Sequence, residues 1–267
     1  MARSRAEAGQ GILATLGVLA GLLLLWEVAV RVLAPPPILL PAPSAIAVEL
    51  ADAPRYFLRH AAFTLWTTLA GFALSVVLGV ALAVVFAQSR WIEDALFPYA
   101  VVLQVTPVVA IAPLVIIWTR NDVVLALLVC AWIVAFFPIL SNTTIGLRAV
   151  DRNLEDLFRL AGASRMQTLL RLRLPSALPY FFAGLRVSGG LALIGAVVAE
   201  FVAGTGGSAS GLAYVILESG YRLQIPKMFA ALALVSAIGI AIFLLLGLVA
   251  HLALRRWHET AGAGEDA

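Results

Sequence analysis

Lysine is all but missing from this 267-residue chain: the only one is Lys227, and no Gly-x-x-x-x-Gly-Lys-Ser/Thr run occurs. Without that loop the chain does not cradle nucleotide phosphates by the P-loop route. Cysteine is as scarce. The single Cys130 lies in an apolar run, has no partner for an intrachain disulfide, and reads as a small buried apolar residue. The three histidines, at 60, 251 and 258, do not fall at metal-ligand spacing. No His-Glu-x-x-His motif, aspartate pair or serine–histidine pair lies in an apolar run, which leaves an intramembrane enzyme without its constellation. Charged residues make up only 12% of the chain, too few for an ordinary soluble domain.

What remains is apolar: 62% of the residues, with a mean hydropathy of +1.01. Long apolar runs recur from end to end, the pattern of a polytopic membrane protein. Strand alternation is absent and lipid leaves open backbone groups unsatisfied, so the expected fold is all-α with about six transmembrane helices. The spans fall near 11–33, 61–87, 95–118, 123–145, 183–203 and 227–253. The first run looks superficially like a signal peptide. It is too long for one, no small-residue cleavage site follows, and it is expected to be a retained span.

Basic residues orient these spans. With the N-terminus in the cytoplasm, Arg3, Arg5, Arg90, the set Arg148, Arg152, Arg159, Arg165, Arg171 and Arg173, and Arg255 with Arg256 fall inside. Arg31, Arg55, Arg59, Arg120, Arg222 and Lys227 fall outside. Both termini are therefore expected to be cytoplasmic. The layout is an N-terminal transmembrane helix (1–34), an external proline-rich strap and short helix (35–60), a core (61–255) containing a cytoplasmic loop (146–182), and a cytoplasmic tail (256–267). Ser44 is expected to cap the short helix. The segment 204–226 opens Gly/Ser-rich and continues into a mildly amphipathic stretch with Glu218 and Arg222 at i, i+4. It either dips into the membrane or lies on its surface.

The cytoplasmic loop is the most structured polar passage. Leu154, Leu157, Phe158 and Ala161 recur at helical spacing, with Glu155 and Asp156 in the first turn, where the helix dipole favours anions. Gly162 predicts a left-handed C-cap, and Ser164 with Gln167 predicts a capping box that opens a second helix. Met166, Leu169 and Leu170 give that helix an apolar face, and Leu174-Pro175 is expected to end it. An interfacial helix pair on anionic headgroups accounts for the charge as well as a docking surface does.

The same residues resemble the EAA loop of the membrane subunits of binding-protein-dependent ABC importers. Asp156-Leu157-Phe158 stands at the Glu-Ala-Ala position, Gly162 at the glycine, and Leu172-Arg173-Leu174-Pro175 follows after nine residues. Asp for Glu, and Leu and Phe for the alanines, depart from the pattern. "QVTPVVAIAPLVIIW" (104–118), "LPYFFAGLRVSGGLALIGAVVAEFV" (178–202) and "LPAPSAIAVEL" (40–50) are similar to segments of the sulfonate, taurine and nitrate importer branch, so the resemblance covers roughly 38–255. It implies a type I ABC importer permease fold in a bacterial inner membrane, working as a dimer, most simply a homodimer. It implies a coupling helix, built from Asp156, Leu157, Phe158, Gly162, Ala163, Ser164, Arg165, Leu174 and Pro175, that seats in a cytoplasmic ATPase subunit. ATP and Mg would then sit on that partner, none on this chain, and an extracytoplasmic solute-binding protein would deliver a small organic anion such as a sulfonate, taurine or nitrate. A pyrimidine, thiamine or riboflavin precursor is the alternative cargo. No nucleic-acid partner is expected.

The spans carry weaker signals. Thr64, Thr68, Gly71, Ser75 and Gly79 form one small-residue face suited to close packing in lipid. Gly184, Ser188, Ala192, Ala196 and Glu200 form another, ending in a carboxylate that either reaches headgroups or faces the bundle as an outer gate or binding-protein contact. Pro107, Pro113 and Pro138 are each expected to bend a helix. Gln104 and Thr106 are the polar candidates for lining a pathway. A stand-alone secondary transporter would need mid-span acids; Glu27 is the only central-looking one besides Glu200, and Arg31 at i+4 suggests a local ion pair.

Overall fold

The computed structural model describes residues 2–36, 38–204 and 210–261, with backbone alone for 2–12 and 256–261. The side chains of Arg3, Arg5 and Arg256, the Gly/Ser turn at 205–209 and the tail beyond 261 lie outside the described residues. Among the described residues eleven α-helices follow one another: α1 (Ala2–Leu33), α2 (Pro43–Asp52), α3 (Pro54–Gln88), α4 (Arg90–Val105), α5 (Val108–Trp118), α6 (Val123–Arg148), α7 (Arg152–Leu160), α8 (Arg165–Thr168), α9 (Leu174–Ala203), α10 (Leu212–Tyr221) and α11 (Ile225–Ala261). No strand occurs among the described residues. Five stretches are long and apolar enough to cross a membrane, and the α4–α5 pair makes a sixth if counted as one span. The chain is a multi-pass membrane protein.

Helices α3, α6 and α9 form the centre, and small residues set their spacing. A Cβ placed on Gly71 would lie 2.5 Å from the Ala131 side chain, and one on Gly195 would lie 2.8 Å from the Cys130 carbonyl. Such approaches replace the missing hydrophobic drive in lipid with dense van der Waals contact. Successive contacts (Gly146 on Ala177, Gly184 on Pro138, Gly195 on Cys130) show α6 and α9 running antiparallel. The face Thr64, Thr68, Gly71, Ser75 and Gly79 is buried along its length. Ser75 Oγ donates to the Trp132 carbonyl at 3.1 Å and ties α3 to α6.

Three expectations are corrected. The third span is not one bent helix: α4 and α5 meet at 103° across Thr106-Pro107. Pro107 supplies no N–H, and Thr106 before it takes extended backbone (φ −70, ψ 122). Pro113 and Pro138 stay inside helices. Leu174-Pro175 does not end a helix either. A π turn over Leu169–Arg173 joins α8 to α9, with Leu174 N–H donating to the Leu169 carbonyl. The wider turn gives the Pro175 ring room that an α-turn denies it. Ser44 does not cap α2, which starts at Pro43 after Ala42 with no side-chain cap. Its hydroxyl and backbone N–H instead donate to Glu27, at 2.8 and 3.0 Å. Glu27 also holds Arg31, the local ion pair expected from their spacing. Trp26 of α1 also packs on Phe229 and on the cluster of Ile46, Phe57 and Leu212, while none of the α1 span among the described residues is buried.

Candidate functional site

The turn between α7 and α8 is built from local rules. Asp151 caps α7 by accepting from Asn153 N at 2.8 Å. At the other end Gly162 has φ +69, its N–H donates to the Arg159 carbonyl, and Ala163 N–H donates to the Phe158 carbonyl, both at 3.0 Å. That is the Schellman arrangement, which needs a residue at ease with left-handed backbone. The reciprocal Ser164–Gln167 capping box then starts α8.

Around this turn several apolar residues find no cover in their own chain. No residue of α7 is buried; Leu157 and Leu160 are 61% and 88% exposed. Asp156, Gly162, Ser164 and Arg165 are also exposed, while Phe158, Ala163, Leu174 and Pro175 are half-buried. Of the expected α8 face only Leu169 turns inward; Met166 and Leu170 are each 56% exposed. Two hollows flank the turn. One of 490 Å³ is floored by Ala87 and Gln88 and walled by Glu155, Arg165 and Arg173; one of 380 Å³ lies between Phe158, Gly162 and Arg171.

Two arginines of the loop hold it to the bundle. Arg173 donates to Glu155 at 2.9 Å and to the Ala87 carbonyl at 3.0 Å. Arg148 donates to Glu93 at 2.7 Å and to the Phe86 carbonyl at 3.4 Å. Both cations therefore sit on the last carbonyls of α3, where the helix dipole is negative. Arg173 thereby sets the height of α7 against α3, and Arg148 ties the end of α6 to α3 and α4, roles the basic tally alone did not separate from headgroup binding.

Other candidates do not gather at one place. Gln104 and Pro107 are exposed and Thr106 is half-buried at the α4–α5 break, with Thr106 Oγ1 turned back to the Val102 carbonyl at 2.6 Å; Pro113 is exposed on α5. Glu200 faces the bundle, 4% exposed, and accepts from Gly211 N–H and from Tyr214 N–H, the latter at 3.2 Å. Thr64 Oγ1 accepts from Leu212 N–H at 2.8 Å, and His60 Nδ1–H donates to the Ser210 carbonyl at 2.7 Å. Gly211 is required here, because a Cβ would come within 2.7 and 2.9 Å of the Glu200 oxygens. Buried and hydrogen-bonded within its own chain, Glu200 bolts the start of α10 to α9. The 210–221 segment accordingly packs into the bundle rather than lying free, with Leu212, Ala213, Val215 and Ser219 buried.

One functional candidate escaped the sequence reading: Arg186, inside α9 and absent from the orienting tally. An ionisable residue within a span is itself the signal that could have found it.

The structure is that of an all-helical multi-pass membrane bundle with an uncovered, arginine-anchored turn at one end. The chain belongs to the binding-protein-dependent transport system inner membrane components, whose family pattern matches residues 75–258. It is 36% identical over 241 residues to the riboflavin transport system permease protein RibX of Chloroflexus aurantiacus, covering 90% of this chain and 88% of that one. It is 35% identical over 220 residues to the formylaminopyrimidine transport permease protein ThiX of Halalkalibacterium halodurans, covering 82% and 86%. The putative aliphatic sulfonates transport permease protein SsuC of Bacillus subtilis is 33% identical over 180 residues, covering 67% and 63%. In fold it is similar to a chain of the MetNI methionine ABC transporter, solved in inward-facing conformations, with a TM-score of 0.65 at 18% identity over 73% of this chain and 95% of that one.

Proposed function

We propose that this chain, a permease subunit of the ABC importer class, forms half of a translocation pathway for a small organic anion delivered by an extracytoplasmic binding protein. The observation that carries the reading is the turn at Gly162: a rigid, doubly capped knob whose Leu157 and Leu160 have no cover in their own chain. Water-exposed leucines at that density on one short helix suit a protein cleft. The knob faces the cytoplasm in the N-in, C-in orientation, and seats in a separate ATPase subunit that holds ATP and Mg. Two copies of the permease, each with its own knob, draw together as the ATPase subunits close. The flank carrying Gln104, Pro107 and Pro113, with half-buried Thr106 between them, then faces the pathway or the second copy. Glu200 acts as an internal bolt, not a gate contact.

A second reading has support of its own. Relatives named for riboflavin and formylaminopyrimidine transport match over 90% and 82% of the chain, whereas relatives named for sulfonates match over about two thirds of it. One experiment tests both. The solute-binding protein encoded beside this chain is purified, the ligand that raises its melting temperature is identified, and ATP-driven uptake of that ligand is measured in proteoliposomes containing the full transporter. Uptake that proceeds without the ATPase subunit refutes the importer reading; a neutral heterocycle as ligand refutes the anion.

A further inference from the structure

Arg186 lies deep in the membrane-spanning part of the bundle. Gly184 packs on the Pro138 carbonyl, so Arg186 sits near the level of Pro138, about 15 Å of helix rise from Arg148 and about 22 Å from Val123. An arginine side chain does not bridge the first distance, and this one does not reach toward the loop end. Its guanidinium lies over the Phe243 ring, 4.9 Å from the centroid. The bare backbone of Gly247 makes room beside it, where an added Cβ would stand 3.8 Å from Nε. Among the described residues no carboxylate or carbonyl accepts a hydrogen bond from it. Nor, among the described residues, is an acid available at that depth. Glu27 and Glu200 lie toward the opposite ends of their helices, Glu93 and Asp94 at the loop end of the bundle, and the rest outside the spans. A second copy related by symmetry would bring none either.

The surroundings are open on one side. Helix α9 is packed on α3, α5, α6, α10 and α11. Yet it leaves a single stripe uncovered: Ala183, Arg186, Val187 and Ile194 are exposed, and a Cβ on Gly190 would meet nothing within 4 Å. A lone cation facing lipid tails is strongly disfavoured; within spans such groups face a watery cavity or a counter-charge. The aromatic ring offsets part of the desolvation but leaves every N–H donor free.

We infer that Arg186, held on Phe243, is a binding group for an oxyanion passing along the open stripe of α9. The fork of N–H donors suits the paired oxygens of a sulfonate or carboxylate. This rests on the importer reading and selects the anionic cargo within it. A phospholipid phosphate offers the same chemistry, and the test separates the two.

Gly190→Cys, one helical turn from Arg186, is made in a Cys130→Ala background, and the full transporter is reconstituted in phosphatidylcholine, with and without phosphatidylglycerol. Its reaction is timed with a methanethiosulfonate reagent carrying a sulfonate and with the trimethylammonium counterpart, each rate divided by that reagent's rate with a free small thiol, because a thiolate intrinsically favours the cationic reagent. The sulfonate reagent is expected to react faster by about tenfold or more, as one unit charge at helical-neighbour distance dictates. Adding Arg186→Gln should bring the ratio to near one in either lipid. No reaction with either reagent, at Gly190→Cys or at Val187→Cys made alongside it, overturns the inference. So does a ratio indifferent to Arg186, or one that vanishes when phosphatidylglycerol is added, which assigns the guanidinium to lipid. Labelling needs no turnover, so failure of the importer reading would appear separately, as absent ATP-driven uptake by the unaltered protein.

Discussion

Gly162 permits a test in which space and backbone strain can be told apart. Its φ of +69 is left-handed, yet a Cβ there would meet nothing within 4 Å. Any effect of substitution therefore comes from conformation and not from collision. Left-handed backbone costs a residue with a Cβ about 1–2 kcal/mol, which is about a 5- to 30-fold loss of the native turn. Gly162→Ala should weaken binding of the ATPase subunit by that factor, and Gly162→Val by more, since a branched Cβ narrows the left-handed region further. Gly162→Asn should lose least, because asparagine adopts this conformation with local hydrogen bonding. The assay is titration of purified permease with its ATPase subunit, alongside ATP-driven uptake, with monodispersity in detergent confirming that each variant inserts and folds. Asparagine as damaging as valine would falsify the strain argument, and alanine with unchanged affinity would remove the turn from the coupling surface.

The anchoring arginines give a graded expectation. Arg173→Gln removes contacts to both Glu155 and the Ala87 carbonyl, whereas Glu155→Gln removes only the first, so the arginine variant should bind the ATPase more weakly. Their double-mutant coupling in thermal unfolding should be about 1 kcal/mol, the range for a partly exposed pair; a value near zero would show that the pair does not hold α7. Glu200→Ala orphans the N–H groups of Gly211 and Tyr214 and should lower stability by about 1–3 kcal/mol for each buried group left unpaired. Glu200→Gln keeps an acceptor oxygen and should cost clearly less. Equal melting temperatures for the two would mean that the bolt does not depend on acceptance by that side chain.

What could be read in advance divides by the range of the interaction. The Gly162 cap and the Ser164–Gln167 box depend on a few consecutive residues, and their signals are written in those residues alone. The small-residue face of α3 was legible as packing because its spacing follows the helix. The prolines were not separable: 107, 113 and 138 carry the same local instruction, and only at Pro107 does the chain break, with Thr106 extended before it. Leu174-Pro175 misled because a π turn five residues long reroutes the bonding upstream of the ring. The Glu200 cradle joins residues such as His60 and Ser210, far apart in the chain, and no local pattern announces such a meeting.

The π turn has a mechanical consequence. Had the loop ended at Leu174-Pro175, a push on the Gly162 knob would be absorbed by a flexible joint before reaching the membrane. Instead Arg165–Ala203 is a single rod of 39 residues, about 58 Å long at helical rise. In the proposed importer it would act as a lever with one end at the knob and the other at Glu200. A tilt of about five degrees carries the far end through about 5 Å, roughly one helical turn. Because Glu200 is bolted to the start of α10, that stroke is delivered not to a loose tip but to the helix packed across the opposite end of the bundle.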